Sequence, residues 1–512
     1  MNDRQIKFGA ILSYFLIFFN IIVGLLYTPW MVNKIGRSDY GLYILVTTFL
    51  TYFVVDFGMW QAINKIICQY RAEGRNNEVK NVIGQSLKIY LCLDIIIITI
   101  LTIVYFNIDN LFLKLTPSEI YKFKIIFIIA GTASVLSFPF NFIKGVLSAH
   151  EFFIQLKCFD FATKILTVSL TIICLYMGLG LYALVIAFGF TSFFIKILQV
   201  IYLKSKGINI NLKYHNRALM RSILGLSVWL FVEVLAELFV NNISPSILAT
   251  FSGTEEIAIF AIGLSLYGYV YSFAGALNGL FLPKISRYIA NNEHSKIENI
   301  TFKIERFQFL VIGYIILAII LTGPIFIESW MGPHFNKSYY VAILLLLPGI
   351  VVFGQAIEST HLFASGKIRY RSICMIITAL VSVILSIILS KSFGAIGVAI
   401  GICSGTIIGM VCGMNIIYYK VLNFNLRRYT GIFIKFMFAY VIISILFIIL
   451  KYSITLNTNI NGWRLFFLQA IIYTVIFTIV MWIGFMNLEE KNIIKNGVFS
   501  IKSLILKFKN KI

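Results

Sequence analysis

Long apolar stretches recur along the whole of this 512-residue chain, and they constrain its fold more than any motif does. A helix needs about 20 mostly apolar residues to cross the hydrocarbon core of a bilayer. Fourteen segments meet that requirement, centred near residues 20, 53, 96, 136, 165, 191, 233, 269, 315, 350, 381, 406, 441 and 476. Short breaks at 177–180 and 390–394 split two of the longest runs into helix pairs. The alternating period of a membrane barrel is absent, and irregular backbone cannot face lipid, so the spans read as helices. The first run, residues 8–32, is too long for a signal-peptide core and lacks a small-residue cleavage site, so it reads as a retained helix. With 59% hydrophobic and only 12% charged residues, the chain does not fit a soluble enzyme, a disulfide-rich secreted scaffold or a disordered polymer.

The charge gives orientation. Forty-three Lys and Arg stand against 21 Asp and Glu, a formal net charge of +22. With the N-terminus placed in the cytoplasm, inward segments hold 32 of the 43 and outward loops hold 9. Lys164 and Lys196 lie inside spans. This asymmetry follows the positive-inside rule and puts both termini in the cytoplasm. Nucleic acid is not an expected partner, because the positive charge is spread over many short loops. The tail, residues 487–512, carries Ile494, Val498, Ile501 and Ile505 at helical spacing among Lys495, Lys502 and Lys509. It reads either as an amphipathic basic helix on the anionic inner leaflet or as a disordered basic tail.

The two halves share a weak repeat. Gly36-Arg37-Ser38-Asp39-Tyr40-Gly41-Leu42-Tyr43 aligns with Gly253-Thr254-Glu255-Glu256-Ile257-Ala258-Ile259-Phe260 at an offset of 217 residues. Pro29 precedes the first as Pro245 precedes the second, and Gly178, Ala183 and Gly189 align with Gly394, Ala399 and Gly405 at an offset of 216. Each copy spans six helices, an even number, so both copies run the same way through the membrane, the arrangement of transporters with parallel repeats. The expected fold is an all-α integral membrane protein with about 14 transmembrane helices, two parallel six-helix lobes and two C-terminal helices. Its parts are a first lobe at 1–204, a basic cytoplasmic linker at 205–218, a second lobe at 219–420, helices 13 and 14 at 421–486 and the tail at 487–512.

Intramembrane polar residues are the functional candidates, because charge in the bilayer is costly and normally faces a wet interior or a partner. Lys164 lies midway along its span, with Asp160 four residues earlier on the same face as a possible neutralising partner. Asp56 and the pair Glu233 and Glu237 lie within helices two and seven. Two carboxylates on one helix face repel when both are ionised, so the pair reads either as a proton or cation site or as one half of a salt bridge to Lys164 or Lys196. Asp94, Lys144 and Glu358 lie near the cytoplasmic edge, where their side chains are expected to reach water. Gly397, Gly401, Gly405, Gly409 and Gly413 form a stripe at spacing four, which fits close helix packing. Pro29, Pro139, Pro245 and Pro348 sit in or beside spans as static kinks or hinges. Seven cysteines without a CxxC and five scattered histidines give no metal site, and no cofactor or catalytic motif is present.

The first ninety residues carry a resemblance. Gly24-Leu25-Leu26-Tyr27-Thr28-Pro29-Trp30-Met31-Val32 leads into the Gly36–Tyr43 stretch, then Val55-Asp56-Phe57-Gly58, then Tyr70-Arg71-Ala72-Glu73-Gly74. This pattern resembles the polysaccharide biosynthesis proteins, the Wzx-type oligosaccharide flippases of the multidrug, oligosaccharidyl-lipid and polysaccharide exporter superfamily. The resemblance implies a MATE-like transporter, not an enzyme, that flips undecaprenyl-diphosphate-linked oligosaccharide units for O-antigen, capsule or related polysaccharide. It implies as partners this lipid-linked glycan, membrane lipids, and the polymerase and glycosyltransferases of the same assembly. In such a protein, cavity cations would bind the diphosphate, and intramembrane position makes Lys164, Lys196 and Lys144 the candidates. Trp60 and Lys65 after the Asp-Phe-Gly depart from the family pattern. A small-molecule or drug exporter on the same fold remains the alternative, followed by a membrane glycan polymerase, for which the outward loops are short.

Overall fold

The computed structural model describes the chain except for residues 1–2, 52–58, 209–210, 212–213, 215, 218, 222, 224–233, 241, 279–284, 286–287, 290–292, 458–461 and 493–512. Among the described residues, every regular element is helical. Eleven helices are long and apolar enough to cross a membrane. Leu26, Phe106 and Ile483 are among the large apolar side chains left exposed on them. Such exposure costs nothing in lipid and would be prohibitive along so many helices in water. The protein is therefore a multi-pass membrane protein. The longest of the eleven, Ile368–Leu422, runs 55 residues and covers the expected spans near 381 and 406. Near 350 the chain is cut into Lys337–Leu346, Gly349–Gly354 and Ala356–Ala364, with Pro348 and Gln355 at the breaks. The centres near 53 and 233 fall on residues outside the described set. The tail from residue 493 onward does too.

The chain divides into two compact units. The first comprises Met1–Phe273, Tyr340–Leu345 and Ile368–Cys412; the second comprises Ala274–Tyr339, Leu346–Lys367 and Gly413–Ile512.

In the first unit, α1 (Asp3–Ile35) carries Pro29 without interruption and ends at Gly36, whose φ of +86° starts the turn into α2 (Arg37–Thr51). The following elements are α3 (Met59–Ala72), α4 (Asn76–Leu111), α5 (Pro117–Ser137), α6 (Phe142–Ala149), α7 (Phe153–Tyr176) and α8 (Leu181–Ser205). Pro139 sits in a single 3₁₀ turn between α5 and α6. Helices α7 and α8 are antiparallel neighbours joined through Gly178 and Gly180, both with positive φ. The stretch after α8 lies along α4: Asn211 N donates to the Lys80 carbonyl at 3.3 Å, and Lys88 Nζ donates to the Tyr214 carbonyl at 3.1 Å. Gly84 makes this possible, since a Cβ there would fall 1.9 Å from the Asn211 carbonyl oxygen.

Helices α9 (Ser244–Phe251) and α10 (Thr254–Asn278) complete that region. Three helix starts meet at one carboxylate. Thr116 and Glu119 form a capping box at the start of α5, with Thr116 N donating to Glu119 Oε2 at 2.9 Å. The other oxygen, Oε1, accepts from Ser38 Oγ of α2 at 2.5 Å and from Thr254 Oγ1 of α10 at 2.6 Å. Gly41 faces the Thr254 carbonyl so closely that a Cβ would lie 2.1 Å from it.

The second unit is built on α11 (His294–Met331), which packs against α13 (Gly349–Gly354), α14 (Ala356–Ala364), α17 (Leu426–Asn457) and α18 (Trp463–Val480). Helix α12 (Lys337–Leu346) falls mostly in the first unit, as does all of α15 (Ile368–Thr406), which continues through a π segment into α16 (Met414–Leu422) of the second. Aromatic rings fill the α11–α17–α18 interface: Tyr473 Oη donates to the Tyr314 carbonyl at 2.6 Å and Tyr440 Oη to the Phe309 carbonyl at 2.5 Å. Buried phenols need such partners, since an unpaired hydroxyl in an apolar interior loses its hydration without return.

Candidate functional site

Lys164 is half-buried on α7. It forms no ion pair among the described residues; Asp160 is exposed and pairs instead with Lys157 at 3.3 Å. The reason is reach: the one acid and both lysines share one helix surface, and the i,i+3 partner toward the start of α7 is met in water. Lys196 is half-buried on α8. At about 1.5 Å rise per residue, Lys164 lies roughly 18 Å along α7 from Tyr176 and Lys196 roughly 23 Å along α8 from Leu181. The tight turn thus sets both amines at similar depth on adjacent helices, well inside spans. Lys144 is different: it is exposed on α6, its Nζ 4.5 Å from the centre of the Trp60 ring.

Of the acidic candidates, Glu237 is half-buried and accepts a hydrogen bond from Tyr271 Oη at 3.3 Å. The rings of Tyr267 and Tyr271 lie tilted against each other along α10, centroids 6.0 Å apart, giving this carboxylate an aromatic, phenolic neighbourhood. Asp56 and Glu233 lie outside the described residues.

The glycine stripe packs within one hairpin. Gly397, Gly401, Gly405 and Gly409 face Ser390, Ser386, Ser382 and Thr378 across the bend at Gly394, and all four facing residues are buried. Gly413 closes the π segment Ile407–Gly413. Gly394 has φ +53° and ψ −130°, almost the values at Gly180, φ +52° and ψ −133°. Both glycines open the second helix of an antiparallel pair, so the conformational match between the halves falls at Gly180, two residues from the Gly178 expected by alignment.

Two of the edge residues are not in water. Asp94 is 7% exposed and Glu358 only 1%. Sequence position near a membrane edge gave the wrong environment for both, because hydropathy along one helix does not show which neighbours cover it. Glu305 of α11 is fully buried beside Glu358; it reads in sequence as part of a basic loop, and only the 38-residue length of α11 reveals otherwise. Also in the second unit is a cleft of about 810 Å³, lined by Lys296, Lys303, Arg306, Arg428 and Lys435 together with Glu489.

The motif residues of the opening segment prove to be architectural. Arg37 pairs with Glu255 at 3.5 Å and Asp39 with Lys122 at 2.7 Å. Arg71 donates to the Ala149 carbonyl, and the Arg75 guanidinium stacks on Tyr70 at 4.6 Å. Hydrogen bonds from Gln69 and then Arg75 hold the exposed Glu73 carboxyl below the usual carboxylate range.

The family described as "Polysaccharide biosynthesis protein" matches residues 8–289, more than half of the chain. The chain belongs to this family. No curated protein matches it. Among solved structures, the chain is similar to a lipid II flippase MurJ in an inward closed conformation, with 17% identity, a TM-score of 0.67 and coverage of 92% of this chain and 98% of that one. It is also similar to an inward-facing multidrug resistance MATE transporter of the MOP superfamily, at 16% identity and a TM-score of 0.61, covering 79% and 96%. A third likeness is to a MOP superfamily transporter from Pyrococcus furiosus, at 16% identity and a TM-score of 0.56, covering 79% and 93%. At these identities the likeness shows the fold: this polysaccharide biosynthesis family member has the fold of the MOP exporters.

Proposed function

We propose that this family member is a flippase of the bacterial plasma membrane, with both termini cytoplasmic, that carries an undecaprenyl-diphosphate-linked oligosaccharide from the inner to the outer leaflet by alternating access. The carried unit serves O-antigen, capsule or a related polysaccharide, made by glycosyltransferases and joined by a polymerase. A diphosphate and its sugars cannot enter about 30 Å of hydrocarbon unaided, whereas the polyprenyl tail is at home there. The observation that carries the reading is Lys164, a half-buried amine inside a span with no carboxylate paired to it among the described residues. A lysine held in that way is a point charge suited to phosphate. Lys196 at similar depth is its companion, and exposed Lys144 is a candidate for first encounter. Glu237, with Glu233, is the candidate for ion coupling or for neutralising those cations. Binding, reorientation and release require no covalent step, so no catalytic residue is assigned.

Lys164→Ala and Lys196→Ala are each expected to reduce surface glycan while leaving membrane abundance unchanged. Normal surface glycan in both variants would overturn the cation assignment. Retained export of a small cationic dye alongside lost glycan would separate the flippase from a drug exporter of the same fold.

A further inference from the structure

The second unit contains two carboxyl groups with no salt-bridge partner among the described residues. Glu305 is 0% exposed and Glu358 1% exposed. All four of their oxygens lack a hydrogen-bond donor among the described residues, yet the two side chains lie within hydrogen-bonding reach of each other. Tyr429 of α17, 3% exposed, lies close enough to feel both carboxyls through space, and its hydroxyl is also without a partner among the described residues. Among the described residues, Ile304 and Ile357 pack around Ile285 in one buried apolar cluster.

Two ionised carboxylates cannot occupy such a place. Each unpaired buried charge costs several kcal/mol, and two in contact add their repulsion. As carboxylates both offer only acceptors, which is why neither has a partner; one proton turns the pair into a donor and an acceptor. A metal ion would instead need the oxygens spread around it at its own coordination distances. Among the described residues, the charged and titratable groups near the pair are few. Arg428 acts on Glu305 through space, but its guanidinium lies 4.3 Å over Phe302, reaches Glu298 at 3.8 Å and is half exposed. Tyr418 of α16 lies behind Tyr429. The geometry points to Glu305 and Glu358 as a proton-binding site in which one proton is shared between the two carboxyls. The shared proton ties α11 to α14.

This site does not depend on what the transporter carries, and its test reads the proton directly. Infrared spectra of the purified full-length protein at neutral pH are compared with those of the Glu305→Gln/Glu358→Gln double variant. The expected difference is loss of one protonated-carboxyl band together with one carboxylate. No protonated band lost, or two lost, would overturn the shared proton. Displacement of the band in the wild type by sodium at constant pH would overturn it in favour of a metal site. Should the double variant fail to fold, wild-type protein labelled with ¹³C at its glutamate carboxyls decides: the protonated band must shift with the label, and an unmoved band refutes the assignment.

Discussion

Gly405 and Ser382 meet across the α15 hairpin with no room between them. A Cβ on Gly405 would fall 2.1 Å from Ser382 Oγ and 2.6 Å from the Thr378 carbonyl oxygen. Ser382 can rotate away, but the carbonyl belongs to the helix backbone and cannot. Gly405→Ala should therefore destabilise by about 1–3 kcal/mol through overpacking, outweighing the ~1 kcal/mol that alanine gains over glycine in a helix. Thermal unfolding in detergent checks the sign. Gly431→Ala, at a helical glycine with open space around it, is the matched control and should be neutral or stabilising.

The bend of the same hairpin is held from outside. Glu256 Oε2 accepts the Ala395 amide at 2.8 Å and occupies the space beside Gly394. It supplies the acceptor that a capping side chain would give a new helix start. Glu256→Ala should cost about 0.5–2 kcal/mol, the range for loss of an N-terminal cap. Glu256→Gln, which keeps an acceptor oxygen, should lose markedly less in the same melting experiment.

In the second unit, Arg306 donates to Glu490 through Nε at 2.6 Å and Nη2 at 3.0 Å, and Nη2 also reaches the Phe485 carbonyl at 3.0 Å. Both side chains are largely buried, 15% and 8% exposed. Arg306→Ala leaves the Glu490 charge buried without its fork and should destabilise by about 3–5 kcal/mol. Replacing both by methionine should recover much of the loss. Lysine alone should not rescue, because a single ammonium cannot reproduce the bidentate geometry.

His150, in the turn after α6, gives a pH dependence. Burial pushes its imidazole below the ordinary histidine value, only partly opposed by the hydrogen bond to the Val146 carbonyl, while the Arg71 charge pushes the same way as burial. A depressed histidine stabilises the fold fully above its unfolded value of about 6.5, and that contribution is lost as pH falls through the folded value. Melting temperature should fall on mild acidification, and His150→Gln should flatten the fall. An unchanged profile in the variant would assign the dependence elsewhere.

The transmembrane character, the all-helical fold and the family were legible in the sequence because each rests on local composition or on a contiguous motif. Apolar runs of about 20 residues need no partner to be recognised. The Gly36–Tyr43 stretch could likewise be read as a signature, though not for what it does: Ser38 and Thr254 sharing the Glu119 carboxylate is a relation among residues far apart in the chain. The same limit explains the acids. Glu358 reads in sequence as an edge residue and Glu305 as part of a basic loop, since hydropathy along one helix carries no information about what covers it. Asp160 and Lys164 have ideal spacing, and a nearer, solvated lysine takes the carboxylate. The sequence by itself determined that the chain is a multi-pass helical membrane protein and which family it belongs to. Only the tertiary structure decided which polar groups are enclosed there, because burial of a charge is a property of the neighbouring helices and not of its own.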